Sequence, residues 1–464
     1  MIGMSGANAS PVGRSQQEMM KETAQRVVDR AKKQGATAAD VFIREDETFS
    51  VTVRNGDVEK IKEAISRSLR LRLFVGKRTA TSQTSDLTPA VVDKLVDETV
   101  EMAHLTSEDE SGGLPDPSAY PADIPDLQLV DPAWDAIKPE QRIDLARRAE
   151  AAAYKASPSI TNSEGSWFEC ERSRMVLANT AGFIGGYEST AGYLAAGPIA
   201  ESNGAMQQDH WMSISRRFDQ LESPEEIGRH AAERVVRRLG ARKVKTCQIP
   251  IIFEPMTAQT IVKHVFDAVS GDAIYRRRSF LVDQIGQPVA GSHVTIVDDA
   301  RLPGGLGSSP FDDEGVATQT TPIIEDGILR NYLHSAYSAR KLKSRPTGNG
   351  SRTGAGSVSV GPTNFYLKAG QYTPEEIIAS VETGLYVVEL IGHGVSTVSG
   401  DYSRGVTGLW IENGKFVHPV HEVTIAGNLR QMLQDIEMIG NDLAFMGPIA
   451  SPTLKIRNMT LSGE

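Results

Sequence analysis

The segment SLRLRLFV, residues 68–75, determines the architecture of the first part of the chain. Its leucines alternate with polar residues, and this period of two is typical of a β-strand with one buried face. Arg70 and Arg72 lie on the opposite face, which is predicted to be mostly solvated. The segment therefore predicts a half-buried strand.

Turn signals stand on both sides of this strand. Asn55-Gly56 precedes it and predicts a tight hairpin, because a type I′ turn needs positive φ at both central residues. A Gly-Lys-Arg turn follows it and leads to another predicted strand at 79–85. The sequence therefore predicts an antiparallel β-meander.

Two predicted helices bracket the meander. Residues 15–33 carry apolar side chains on one helical stripe, and residues 89–104 begin a second helix with a proline. We therefore predict an N-terminal α/β-meander domain over 1–110. Residues 1–14 contain no apolar core of a signal peptide and are expected to form a flexible leader.

The middle of the chain divides into a connector and a second α+β region. Residues 111–135 contain prolines among acids and glycines, which predicts an extended connector. The central region, 136–245, contains a predicted helix at 139–156 and antiparallel strands over 160–194. A further helix begins after Ser223, where an N-cap serine, a proline and a glutamate coincide.

The last part of the chain, 246–464, is predicted to be largely β. After a short buried strand and a helix at 256–269, it is rich in glycine, serine, threonine and short β-like runs. Residues 347–361 are small and polar, and we expect a mobile loop there. The predicted fold class is α+β, with an N-terminal α/β-meander domain and a C-terminal, largely β domain.

Composition excludes several classes of protein. The net charge is −10, whereas a nucleic-acid-binding domain needs a basic surface. No apolar run approaches the roughly 18–20 residues that cross a bilayer. Cys170 and Cys247 are too few for a disulfide framework, so we predict a cytoplasmic protein.

The common hydrolase motifs are absent from the sequence. It contains no GxSxG nucleophile elbow, no Walker A motif and no HExxH zinc motif. His264 and Asp267 are spaced to share one face of a predicted helix, and His393 lies between glycines. Neither supplies a full metal site, because a zinc centre needs at least three protein ligands.

Aromatic and basic residues in the C-terminal region are candidates for a peptide groove or a protein interface. These residues follow Gly271-Asp272 or Gly400-Asp401 in the sequence. They are Tyr275, Arg276, Tyr402, Arg404 and Trp410.

Several segments, in one order along nearly the whole chain, resemble the TldD/PmbA family, also called peptidase U62 or modulator of DNA gyrase. The matching segments are the meander at 70–78, ANTAGF (178–183), GDAIYRRRSF (271–280), FDDEGVATQTTPIIEDGIL (311–329), SAYSARKL (335–342), GDYSRGVTGLWIEN (400–413), EVTIAGNL (422–429) and LKIRNMT (454–460).

The family divides into a catalytic partner, TldD, and a metal-less partner, TldE or PmbA. In TldD-like chains the central helix carries HExxxH before a Gly-Asp pair. Aligned on Gly-Asp, the resemblance assigns the two ligand positions to Val262 and Asp267 and the catalytic glutamate to Lys263. The family's C-terminal cysteine ligand is also absent from 446–453. The chain therefore resembles the TldE/PmbA type.

This resemblance implies that the chain binds no metal and that zinc belongs to a TldD-like partner. It implies a complex that degrades unfolded or small peptides, including peptide maturation and antitoxin-type degradation, with hydrolysis carried by TldD. The resemblance leaves open whether the isolated chain forms a homodimer. Two alternatives remain: a self-sufficient metallopeptidase that uses His264 and Asp267 or His393, and a non-enzymatic regulator that binds peptide or gyrase.

Overall fold

The protein is described by a computed structural model over residues 15–353 and 357–463; the expected leader 1–14 lies outside them. The first layer is a seven-stranded antiparallel sheet in the order β3-β2-β1-β4-β5, with β6 and β7 both paired to β5. Its strands are β1 Ala38–Arg54, β2 Asp57–Val75, β3 Arg78–Thr84, β4 Ile160–Asn179, β5 Ile184–Ser202, β6 Ala205–Gln208 and β7 Trp211–Ser215.

The predicted meander is confirmed. Asn55 and Gly56 have φ values of 53° and 80°, as a type I′ hairpin requires. The prediction of a solvated face on β2 is wrong for Arg72, which is buried. Its partners, Asp40 and Glu314, come from a neighbouring strand and from the C-terminal region, which a local pattern cannot reveal.

The first sheet joins the N-terminal and central parts of the chain. β1 pairs with β2 on one side and with β4 on the other over most of its length. The division into 1–110, 111–135, 136–245 and 246–464 stays a proposal.

Five helices accompany this sheet, and their apolar residues pack on one of its faces. Capping boxes start two of them, with Ser15 and Glu18 at one and Ser223 and Glu226 at the other, and the second confirms the predicted start. The helices are α1 Gln16–Lys33, α2 Pro89–His104, α3 Ala133–Ala136, α4 Pro139–Ala156 and α5 Pro224–Val236.

Helices α4 and α5 approach closely at Gly228. A Cβ there would lie 2.1 Å from the Ala149 carbonyl oxygen and 2.7 Å from Ala152 Cβ. We expect Gly228→Ala to lower the free energy of unfolding by about 1–3 kcal/mol, because both neighbours are helix atoms that cannot move alone. Gly447→Ala is the control, since no atom lies within 4 Å of its Cβ position. Equal urea midpoints for the two variants would contradict this packing.

The C-terminal region contains the remaining strands and helices. The strands are β8 Cys247–Phe253, β9 Ile296–Asp299, β10 Thr320–Glu325, β11 Ile328–Leu329, β12 Gly350–Thr353, β13 Ser357–Val360, β14 Phe365–Leu367, β15 Thr383–Val395, β16 Asp401–Glu412, β17 Lys415–Asn428, β18 Ile436–Ile439, β19 Ile449–Ala450 and β20 Leu454–Ser462. The helices are α6 Pro255–Val269, α7 Gly271–Tyr275, α8 Ala336–Lys341, α9 Pro374–Ala379 and α10 Leu429–Gln434.

These strands form two larger sheets around one apolar core. A five-stranded sheet has the order β11-β10-β9-β14-β19, and a six-stranded sheet has the order β17-β16-β15-β8-β20-β18. Because β17 also pairs with β20, five strands of the second sheet close into a ring. Helix α6 contacts both sheets, through β8, β14, β15 and β19. The predicted α+β class with a largely β C-terminal region is confirmed.

The expectation of a mobile loop at 347–361 is wrong for the residues that the structure describes. Strands β12 and β13 pair there as an antiparallel ribbon, and residues 354–356 between them lie outside the described part. Asn349 is buried, and the Arg352 side chain is fully buried against Asp40. The sequence pattern missed this because a distant carboxylate, not local apolar content, holds the ribbon.

Candidate functional site

Helix α6 carries the residues that the family resemblance assigns to the lost metal site. It follows buried strand β8, and Pro255 occupies its first turn. One face of α6 is apolar and buried, whereas Lys263 and Asp267 lie on a more exposed face. The helix also contacts β19, within the segment 446–453 that lacks the family's cysteine.

The three assigned positions hold a buried valine and a closed ion pair. Val262 is 2% exposed and belongs to the C-terminal core. Lys263 Nζ donates to both carboxylate oxygens of Asp267, at 2.6 and 2.9 Å. Among these three positions, only Asp267 has a side chain of a type that binds zinc, and its carboxylate is already paired with the Lys263 ammonium group.

We expect Lys263→Ala and Asp267→Ala each to change the free energy of unfolding by less than about 0.5 kcal/mol. An exposed i,i+4 pair on a helix contributes about that amount. Lys94→Ala, which removes another i,i+4 pair at the surface, is the matched control. Urea denaturation measures all three, and a loss several times larger than that of the control would show that the pair has a further partner.

His264 lies next to this ion pair on α6 and contacts β16. Its ring meets Tyr402 edge-on, with centroids 6.1 Å apart, and its Nδ1 lies 3.9 Å from Asp267 Oδ2. Burial lowers the pKa of His264 to about 4, although Asp267 opposes this shift, so the imidazole is neutral near pH 7. Its Nε2 and the Tyr402 hydroxyl are buried without a hydrogen-bond partner in the described structure.

The other predicted groove residues lie on several elements. Tyr402 is buried, and Arg404, two residues along β16, donates to the Ile391 carbonyl at 3.3 Å. Trp410 stacks on His418 with ring centroids 6.4 Å apart.

Tyr275 and Arg276 form a separate pair at the end of α7. Arg276 Nε donates to the Tyr275 hydroxyl at 2.7 Å, and the Tyr275 ring meets Tyr337 of α8 edge-on. The structure thus joins Tyr402 and Arg404 to the surroundings of α6, and it attaches Tyr275 and Arg276 to α8.

Neither a cluster of three possible metal ligands nor a membrane-spanning helix is found in the described ranges. Over 15–353 and 357–463, no three His, Cys, Asp or Glu side chains are grouped to hold a metal ion. His393, the other histidine considered from the sequence, is exposed on β15. Within the same ranges, no helix combines the length and apolar character that crossing a bilayer requires.

A large cavity, which the sequence did not predict, lies on the face of the first sheet opposite the helices. We call it the sheet cleft. It has a volume of about 870 Å³, with strands β1, β2, β4, β5 and β7 on one side and loops 306–309 and 447–448 of the C-terminal region on the other. Arg70 and Arg216 line it. The alternation that placed Arg70 opposite the β2 leucines was the available signal, but it could not show what lies across from the strand.

Similarity to known proteins extends over most of the chain. Models of the PmbA/TldA metallopeptidase family match as domain 1 over 39–103, as the central domain over 132–239 and as the C-terminal domain over 246–463. Metalloprotease PmbA of Escherichia coli is 36% identical over 426 residues, which are 92% of each chain. The chain belongs to the PmbA/TldD family. The resemblance inferred from the sequence motifs is thereby confirmed.

Other PmbA/TldD relatives cover the chain to different extents. A PmbA homologue of Haemophilus influenzae is 33% identical over 98% of this chain and 99% of its own. A TldD homologue of Buchnera aphidicola is 32% identical over 42% of this chain and 44% of its own. The family is thus represented by both PmbA-named and TldD-named metalloproteases.

Solved structures share the PmbA/TldD fold. A Bacteroides thetaiotaomicron protein described as a modulator of DNA gyrase has a TM-score of 0.89 at 27% identity, covering 96% of this chain and 99% of that one. TldE from Thermococcus kodakarensis has a TM-score of 0.86 at 20% identity, covering 95% and 100%. The second likeness concerns the fold alone.

Proposed function

We propose that the chain is the metal-less TldE/PmbA-type subunit of a TldD/TldE metalloprotease complex. A TldD-like partner carries the zinc and the hydrolysis, and the complex cleaves unfolded or small peptides, in peptide maturation and antitoxin-type degradation. The observation that supports this most is the pair Lys263–Asp267 beside the buried Val262, at the three positions that the family resemblance assigns to HExxxH.

Ligand chemistry argues against zinc at these positions. A catalytic zinc needs three protein ligands and an open position for water, whereas only Asp267 offers a donor atom here. The Lys263 ammonium lies 2.6 Å from that carboxylate and would repel a divalent cation. The adjoining segment 446–453, MGPIASPT, has no cysteine, histidine or acid that could complete a site.

The partner and the location belong to the same proposal. The presence of a TldD homologue among the relatives supports a TldD-like partner. Cys170 is buried, and neither it nor Cys247 forms a disulfide, as expected for a cytoplasmic protein.

Co-expression with a TldD-like chain from the same organism tests the proposal. We expect the two chains to co-elute, with one zinc per pair, and to cleave an unstructured peptide in a chelator-sensitive reaction. Substitution of the partner's catalytic glutamate by glutamine should abolish cleavage. Lys263→Ala should leave it unchanged, because that side chain has no catalytic part in the proposal.

The separate chains distinguish the alternatives. Stoichiometric zinc and chelator-sensitive cleavage by this chain alone would favour the self-sufficient metallopeptidase. A chain that never associates with TldD, yet binds peptide or gyrase, would favour the non-enzymatic regulator. Either outcome contradicts the metal-less subunit.

A further inference from the structure

The geometry points to the sheet cleft as a binding site for a peptide carboxylate. The inference rests on the proposed function, since it names the feature of the peptide that this subunit recognises. It concerns residues far in sequence from α6, on the first sheet and on the loops that face it.

The first step is the charge balance within the cleft. Most of its arginines already have carboxylate partners. Arg44 Nε lies 2.7 Å from Asp46 Oδ1, and its Nη2 lies 3.1 Å from Glu171 Oε1. The other two pairs are Arg67 with Glu45 and Arg352 with Asp40.

Two further arginines have no carboxylate partner within the described residues. Arg70 makes one long hydrogen bond, from Nη1 to the Arg352 carbonyl at 3.4 Å, and its buried Nε has no partner. Arg216 donates to three backbone carbonyls, those of Gly305 at 2.9 Å, Leu306 at 2.7 Å and Thr190 at 3.3 Å.

Each of these two cations has an acid nearby but forms no ion pair with it within the described residues: Glu171 near Arg216 and Asp313 near Arg70. Burial lowers the pKa of Arg216, although Tyr187 and Glu171 oppose that shift. Asp313 is the remaining acid that lines the cleft, and its Oδ2 accepts the Arg352 backbone N–H at 2.8 Å. Burial raises the pKa of Asp313. An added anion would therefore meet two guanidinium groups that lack an ion-pair partner among the described residues.

The rest of the lining favours a peptide over a small inorganic anion. Apolar side chains stand among the arginines, including Phe42, Met175, Ile214, Leu306 and Pro448. A cleft of about 870 Å³ is within the size range that encloses an organic ligand of moderate size. A short peptide can place apolar residues on this surface and its carboxylate on a guanidinium, whose paired donors match that group.

Fluorescence anisotropy with labelled hexapeptides tests the inference on the full chain and on its complex with TldD. One peptide has a free C-terminal carboxylate and no acidic side chain, the second is its C-terminal amide, and the third is the amide with one internal glutamate. We expect the free acid to bind at least about tenfold more tightly than the simple amide. Binding restored by glutamate would identify a side-chain carboxylate as a second source of the same chemistry.

Arg70→Gln is the decisive variant, because Arg70 makes only one weak contact that the fold could lose. We expect it to weaken binding of the free acid about tenfold and to leave binding of the amide unchanged. Arg217→Gln removes an exposed pair with Asp219 and serves as the matched control. Circular dichroism checks that both variants are folded.

Other outcomes would overturn the carboxylate site. They are equal binding of acid and amide, equal losses of both on Arg70→Gln, or binding of pyrophosphate without binding of any peptide. None of these affects co-elution with TldD or its zinc, so this inference and the proposed function can fail separately.

Discussion

Asp40→Asn is expected to lower the free energy of unfolding by about 3–5 kcal/mol, the usual cost of breaking a buried ion pair from one side. The Asp40 carboxylate is fully buried between Arg72 and Arg352. Arg72 Nη2 lies 2.5 Å from Asp40, and its Nη1 lies 2.9 Å from Glu314. The substitution leaves two buried guanidinium groups with a single carboxylate.

Asp93→Asn is the matched control for this variant. Asp93 pairs with Arg26 and Arg30 at the surface, where an ion pair contributes at most about 1 kcal/mol. Urea denaturation followed by circular dichroism gives both values. Losses of similar size would mean that the buried charges are not coupled as the geometry indicates.

The effect of Asp40 should depend on pH in the acid range. Burial by itself would raise the pKa of Asp40, but Arg352 and Arg72 outweigh it and hold that pKa below its ordinary value. The stabilisation is therefore present above the unfolded-state pKa of about 3.9 and is lost as the pH falls through the folded-state pKa. The difference between wild type and Asp40→Asn should shrink below about pH 4.

Phe311→Ala is expected to cost about 3–5 kcal/mol, because it removes a buried aromatic ring and leaves a cavity. Phe311 is 1% exposed and packs with Phe42, Met175 and Leu177 of the first sheet. Its ring also meets Phe183 and Tyr187 edge-on, with centroids 5.3 Å away in each case. A residue of the C-terminal region thus completes an apolar cluster on the first sheet.

Phe416→Ala provides the comparison, since Phe416 is 45% exposed. We expect it to cost about 1 kcal/mol or less, and Phe311→Leu to recover most of the loss. Thermal and urea unfolding measure these values. If Phe311→Ala costs no more than Phe416→Ala, the cluster does not stabilise the contact between the two regions.

Local features of the fold could be predicted from the sequence, because their causes lie within a few residues. The Asn55-Gly56 turn and the helix start at Ser223 depend on backbone conformation and on short-range hydrogen bonds. The burial of Arg72 and the order at Arg352 depend on Asp40 and Glu314, which are distant in sequence. No pattern in one segment contains that information.

The candidate site, too, could be predicted from the sequence only in part. The family resemblance selected α6, and the structure adds that Lys263 and Asp267 close on each other. The groove residues proposed from the sequence remain a prediction, although Tyr402 is buried. The sheet cleft could not be anticipated, because Arg70 and Arg216 come together only when strands and facing loops assemble.

The pairing of β1 with β4 has a consequence for synthesis on the ribosome. The β1–β2 hairpin emerges early, but the strand that covers the other edge of β1 is translated only after the connector and α4. Until then the nascent chain presents an unpaired edge, which favours aggregation and chaperone binding. The first family domain therefore completes its fold only after the central one has begun to appear.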